Sequence, residues 1–184
     1  MPTDRIQTRK ASMIYAEVLL EAAQVEGTAF EVSGQLRALQ KAVRSSIALR
    51  ETLADRSLPA STRRALLEKV FAGFDPALLV VLGVMIERDD FALLNKLSET
   101  YELCAEQALG AVIIDVTTAI SLDDGLRTVL RDRFSAQFGC DVLLREQIDP
   151  TIIGGIVLSS HGKRIDASVA SQLERARVAL TTSR

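Results

Sequence analysis

The side chains that could carry chemistry are few and scattered. The single histidine, His161, could act as a general base only with an orienting partner. It stands beside Gly162 in what reads as a tight hairpin turn. Cys104 and Cys140 have no His or Cys companion at metal-ligand spacing. They read as two ordinary buried thiols of a reducing compartment, with no zinc or redox role. The pairs Asp89-Asp90 and Asp123-Asp124 could hold a cation or act as acid and base. Both fall where helices begin, and acids there complement the helix dipole. Arg63-Arg64 could meet a phosphate, but no glycine-rich loop accompanies it, so it reads as a solvated pair on an exposed helix side. Gly154-Gly155 lacks the following helix that a phosphate cradle needs. No nucleophile elbow, metal-binding His pair, P-loop or dinucleotide fingerprint is present. The expectation is therefore a protein with no active site, no cofactor and no metal. A carboxylate-based hydrolase with an acidic cleft between domains is the enzymatic alternative.

The elements that would position any site are mostly helical. Of 184 residues, 48% are apolar but only 4% aromatic, and tryptophan is absent. Such aliphatic composition suits helices that pack without large rings. The net charge of −2 gives no basic field for nucleic acid. Met1 to Lys10 is polar, without the apolar core of a signal peptide. No run approaches the roughly 20 apolar residues that span a bilayer, so a soluble chain is expected.

Helices are predicted over about 6–25, 28–45, 46–55, 60–72, from Asp75-Pro76 to the charged stop at 87–90, and 90–109. In the first, Ala11, Ile14, Val18, Ala22 and Val25 form one stripe, while Met13, Tyr15, Leu19 and Leu20 lie outside it. That is far more apolar surface than the ~100° an amphipathic helix needs. The second should turn Phe30, Leu36, Leu39 and Val43 inward, and the fourth has Leu66, Leu67, Val70 and Phe71 as its apolar positions. In the fifth, Ala77 to Ile86 contains no polar side chain, and Gly83 sits mid-helix, hinting at close approach by a neighbour. The sixth has Phe91, Leu94, Leu97, Tyr101, Leu103 and Ala108 on its apolar face. A helix apolar all round must be covered all round, so the first and fifth helices carry more apolar surface than a small domain can bury.

At Leu109-Gly110-Ala111 the period changes from 3.6 to 2, which places a domain boundary there: 1–110 helical, 111–184 a small α/β domain. Residues 112–117 and 142–147 alternate as strands, with a helix over 122–138 between them whose inner side is Leu126, Val129, Leu130, Phe134 and Phe138. Asp149-Pro150 reads as a turn. Gly154-Gly155 marks a bulge or a close approach by other atoms, and Ile156 to Leu158 is a third strand. After the hairpin, Asp166 is the expected N-cap of a last helix over 167–181 carrying Val169, Leu173, Ala176 and Leu180.

The run Asp149-Pro150-Thr151-Ile152-Ile153-Gly154-Gly155-Ile156, followed by Ile165-Asp166-Ala167-Ser168, resembles the C-terminal signature of the δ subunit of bacterial F-type ATP synthase, the family of the oligomycin-sensitivity-conferring protein. Tyr15-Ala16 and the stretch from Leu79 to Arg88 also match, more loosely, the family's first and fifth helices. The resemblance implies a six-helix N-terminal bundle before a small α/β (α+β) domain. It further implies a non-catalytic stator subunit, one copy per complex, joining the catalytic head to the peripheral stalk on the cytoplasmic face of the membrane. The partners implied are the N-terminal helix of an α subunit, held in a groove of the first and fifth helices, and the b-type stalk subunits, engaged by the C-terminal domain. Residues expected to line that groove are Tyr15, Leu19, Leu79, Leu82, Gly83 and Ile86. Asp149, Pro150, Gly154, Gly155, Asp166 and Ser168 are expected to act structurally. The non-enzymatic alternative is a free-standing helical adaptor for another amphipathic helix.

Overall fold

The protein is described by a computed structural model covering residues 2–160 and 163–182, with side chains over 8–160 and 163–178. The expected His161-Gly162 turn and the side chain of Leu180 lie outside the described residues. The chain divides into two compact units, Met1–Gln107 and Ala108–Arg184. It is mainly helical, with a small mixed sheet near the C-terminus.

The first unit holds α1 (Pro2–Glu26), α2 (Ala29–Ser45), α3 (Ile47–Ala54), α4 (Ala60–Val70), α5 (Pro76–Glu87) and most of α6 (Leu94–Leu109), which a 3₁₀ turn, Phe91–Leu93, precedes. Local chemistry fixes the starts. The Ser46 hydroxyl accepts from Leu49 N at 3.3 Å to cap α3. Asp75 caps α5 by accepting from Ala77 N at 2.9 Å, with Pro76 in the first turn where its missing N–H costs nothing. The second Asp75 oxygen takes the Thr28 hydroxyl at 2.8 Å, so the cap also ties α5 to the start of α2. Leu19, Leu36, Leu39, Leu67, Leu78, Leu82, Met85, Ile86, Leu97 and Tyr101 form the interior. Tyr101 satisfies its hydroxyl there by donating to Ala29 O at 3.1 Å.

Several faces differ from the sequence expectation. In α1 the inward residues are Ser12, Ala16, Leu19, Leu20 and Ala23, while Ile14, Val18 and Val25 face solvent. A helix apolar all round has no unique stripe, and packing selects the side whose small residues allow close approach. In α4, Val70 is half-exposed, and Arg63 is buried rather than solvated. Its guanidinium donates to Leu53 O at 3.4 Å, at the end of α3, and to Asp89 Oδ1 at 3.0 Å. Asp89 itself sits at φ 57, closing α5. In α6, Leu103 is exposed and Ala105 takes the inward place. Cys104 and Cys140 are only partly buried. Burial, and secondarily Glu17, pushes the Cys104 thiol up.

The second unit runs β1 (Ala111–Thr118), α7 (Asp124–Phe138), β2 (Asp141–Ile148), a 3₁₀ turn (Pro150–Ile152), β3 (Gly155–Ser160), β4 (Lys163–Ser168) and α8 (Val169–Thr182). The sheet order is β2-β1-β3-β4. β1 pairs parallel with β2 and antiparallel with β3, and β3 pairs antiparallel with β4. Asp123 caps α7 by accepting from Leu126 N at 2.6 Å. Ile114, Val116, Leu122, Phe134 and Val142 make the core. Of the residues expected on α7's inner side, Phe134 is buried and Leu130 packs against it, whereas Leu126, Val129 and Phe138 are exposed. The last helix begins later than expected, because β4 continues through Ser168. Ser168 is therefore its cap, accepting from Ser171 N at 3.2 Å. Asp166 acts one step earlier, accepting from the Ser168 hydroxyl at 2.6 Å and from its N–H at 3.0 Å. Those bonds from Ser168 hold the Asp166 carboxyl far below the usual carboxylate range.

Candidate functional site

Among the described residues no group of three His, Cys, Asp or Glu side chains gathers as a metal site would. The acids that might have served catalysis are engaged structurally. Asp89 pairs with Arg63, Asp90 accepts from Tyr15, Asp123 caps α7, and Asp124 pairs with Arg127 at 2.6 Å. What the first unit offers is a surface made by α1 and α5.

These two helices pack against each other. The Tyr15 hydroxyl donates to Asp90 Oδ2 at 2.8 Å, fastening the middle of α1 to the residues just beyond α5. Burial first, then that bond and the Asp90 charge, push the Tyr15 phenol up to about 12. The partly buried Tyr15 and Leu79 both pack on the core. Leu19, Leu82 and Ile86 are fully buried and build the wall from inside. Gly83 is also buried, for a local reason: a Cβ there would meet Arg64 Nε at 3.3 Å. Arg64 lies across that glycine while donating to Glu68 at 2.9 Å and Glu87 at 3.1 Å, so it ties α4 to α5. Of the six residues expected in the groove, Tyr15 and Leu79 are thus the partly open ones.

The apolar side chains that do face out are Ile14 and Val18 on α1, at 60% and 53% exposure, and Val80 on α5, at 54%. Val25 and Val84 extend them. Sequence reading put Ile14 and Val18 on one apolar stripe without fixing which way it faces, and named Val80 and Val84 only within the all-apolar run of the fifth helix. The signal that separates them is the row of small residues, Ser12, Ala16 and Ala23, on the opposite side of α1. Small residues mark where a neighbouring backbone comes close.

The signature residues gather in the second unit at the junction of β3, β4 and α8. Asp149 accepts from Thr151 N at 3.0 Å and from its hydroxyl at 2.7 Å, shaping the turn that Pro150 opens. Gly155 sits at φ 81, and a Cβ on it would lie 2.5 Å from Ala167 O. Of the two readings of the glycine pair, close backbone approach is the one realised. Val169 N donates to Gly154 O at 3.0 Å, locking the start of α8 onto the same turn.

A two-unit, mainly helical chain with apolar side chains exposed on its helices, and with its paired aspartates held in caps and ion pairs, has the form of an interaction protein. The model of the ATP synthase delta (OSCP) subunit family matches residues 12–180. ATP synthase subunit delta of Anaeromyxobacter sp. (strain Fw109-5) is 33% identical over 165 residues, 87% of this chain and 90% of that protein. The subunit of the same name from Rubrobacter xylanophilus is 29% identical, over 90% of this chain and 93% of that one. In fold, the chain is similar to one in the cryo-EM structure of the Toxoplasma gondii mitochondrial ATP synthase hexamer. That match has a TM-score of 0.54 and 15% identity, covering 92% of this chain and 97% of that one. The protein belongs to the ATP synthase delta (OSCP) subunit family. Members of this family are structural stator subunits of ATP synthase.

Proposed function

We propose that this subunit holds the catalytic head of ATP synthase against rotation by binding the head through its first unit and the peripheral stalk through its second. In this reading α1 to α6 act as one six-helix bundle. The N-terminal helix of an α subunit lies along the surface of α1 and α5, and b-type stalk subunits meet the C-terminal unit. One copy serves each complex, peripherally on the cytoplasmic face. The observation that carries the reading is the exposure of Ile14 and Val18 on α1 and of Val80 on α5, two helices that pack together and are joined by the Tyr15–Asp90 bond. An amphipathic helix in an apolar groove supplies a hold without chemistry. In this reading the groove lies on the two helices expected from sequence, and its contact residues are Ile14, Tyr15, Val18, Leu79, Val80 and Val84. Leu19, Leu82 and Ile86 support it from beneath.

The test is affinity for an α-subunit N-terminal peptide. Burying one Val or Ile side chain is worth about 1.5–3 kcal/mol, and about 1.4 kcal/mol is tenfold in affinity. Val18→Arg or Val80→Arg removes that contribution and places a charge in the interface. Each is expected to weaken the peptide at least tenfold with the far-UV circular dichroism unchanged. Unaltered affinity in both would reject the surface.

A further inference from the structure

The first unit holds a cleft that none of the contacts proposed above uses. It lies between the end of α2, α3 and the start of α6, and has a volume of about 410 Å³. That falls within the roughly 300–1,000 Å³ typical of small-molecule sites. The floor is apolar: Val43, Phe91 and Leu94 line it, and all three are buried. The rim is polar and partly tied together. Gln40 Nε2 donates to Asn95 Oδ1 at 3.3 Å, and Arg44 Nη2 donates to the same oxygen at 3.4 Å. Asn95 spends its amide oxygen on these two bonds, so what it has left to offer a ligand is N–H.

The charges of the rim select the occupant. Among the described residues that line the cleft, Arg44 and Arg50 stand against one carboxylate, Glu51. Arg50 makes no ion pair with any described residue, so its guanidinium is available. A guanidinium grips a carboxylate through a planar fork of donors. A bare inorganic anion would leave the apolar floor wet, and a neutral apolar molecule would gain nothing from the two cations. One molecule that carries both parts answers both. We propose that this cleft binds a small organic carboxylate, its flat apolar body seated on Val43, Phe91 and Leu94 and its carboxylate taken by Arg44 and Arg50. The bond to Asn95 holds Arg44 in place beforehand, which lowers the ordering cost of binding. The cleft shares no residue with the surface proposed for the head, and the proposal does not depend on the stator reading.

The experiment titrates the full chain with three probes and follows its backbone amide NMR shifts. The probes are cinnamate, a flat apolar carboxylate; cinnamamide, its neutral counterpart; and inorganic phosphate, an anion without an apolar body. Cinnamate is expected to saturate one site with a Kd below about 1 mM, and to shift Val43, Phe91, Leu94 and Asn95. Cinnamamide and phosphate should each bind about tenfold more weakly or worse. Arg44→Ala and Arg50→Ala, both at exposed positions, should each weaken cinnamate by about fivefold or more. Ala54→Phe, an exposed position that lines the cleft, should fill it and abolish saturation. The far-UV circular dichroism should be unchanged in all three variants. A wild type that does not saturate, cinnamamide that binds as well as cinnamate, or unchanged affinity in both arginine variants overturns the proposal. Shifts that gather on the α1 and α5 surface and spare the cleft overturn it as well.

Discussion

Tyr15 and Tyr101 are the two tyrosines of the chain, and both hold their protons beyond the ordinary range. Burial is the main cause in each, reinforced by the Asp90 bond for Tyr15 and by the Asp75 charge for Tyr101. An unfolded tyrosine titrates near pH 10, whereas Tyr15 in the fold titrates near 12. Over that interval the folded state binds more protons than the unfolded one. Their contribution to stability is therefore complete below about pH 10 and is lost as pH rises toward 12. Phenolate absorbance of the folded protein should stay nearly flat to about pH 11, and a half-complete step at pH 10 would contradict both environments. Gly155 and Ser168 give a second test at the same scale. Gly155→Ala would force a Cβ to 2.5 Å from Ala167 O at a left-handed φ, and should cost more than about 2 kcal/mol in denaturant unfolding. Ser168→Ala removes the α8 cap and the hydroxyl bond to Asp166, and should cost about 1–2 kcal/mol. A Gly155→Ala cost no larger than that of Ser168→Ala would mean the close approach is not a constraint.

α5 shows at the element scale what the sequence could and could not reveal. Its start was legible because Asp-Pro is local chemistry, and its burial because ten residues without a polar side chain leave few alternatives. Which side faces outward was not legible: when every position is apolar, periodicity carries no information. Neighbouring elements decide it, and α4 does so by laying Arg64 over Gly83. The same degeneracy left open which way the stripe of α1 faces, and packing leaves Ile14, Val18 and Val25 exposed. It also hid Arg63, since a buried arginine depends on a carbonyl at the end of α3 and a carboxylate after α5. The turn signals of the second unit were more legible, because a left-handed glycine and an Asx turn depend on few residues. The step from Asp166 to Ser168 was missed because it depends on how far β4 pairs with β3. Gly83→Ala tests the α4–α5 account. Helix propensity favours alanine by up to about 1 kcal/mol, and the atoms it meets belong to a flexible side chain that can move. The variant should be no less stable than the wild type and should bind the α-subunit peptide unchanged. A loss above about 1 kcal/mol would show that Arg64 is held rigidly in place.

At the scale of the molecule the proposed reading divides the labour between the two units, the helical one holding the head and the small sheet unit meeting the stalk. A holding function needs no chemistry of its own, only contacts that persist under load. Load between the head and the stalk would pass through non-covalent contacts at two surfaces, so substitutions at either should uncouple the complex without unfolding the subunit. Among the described residues no helix is long and apolar enough to cross a membrane. In the proposed reading, attachment to the membrane-bound complex runs through partner subunits. The most direct test is a pull-down of the tagged full-length protein from membranes of its own source, with the recovered proteins identified by mass spectrometry. Recovery of the α, β and b-type subunits of ATP synthase together is the predicted result. A clean preparation without them, from membranes that demonstrably contain the enzyme, would contradict the account.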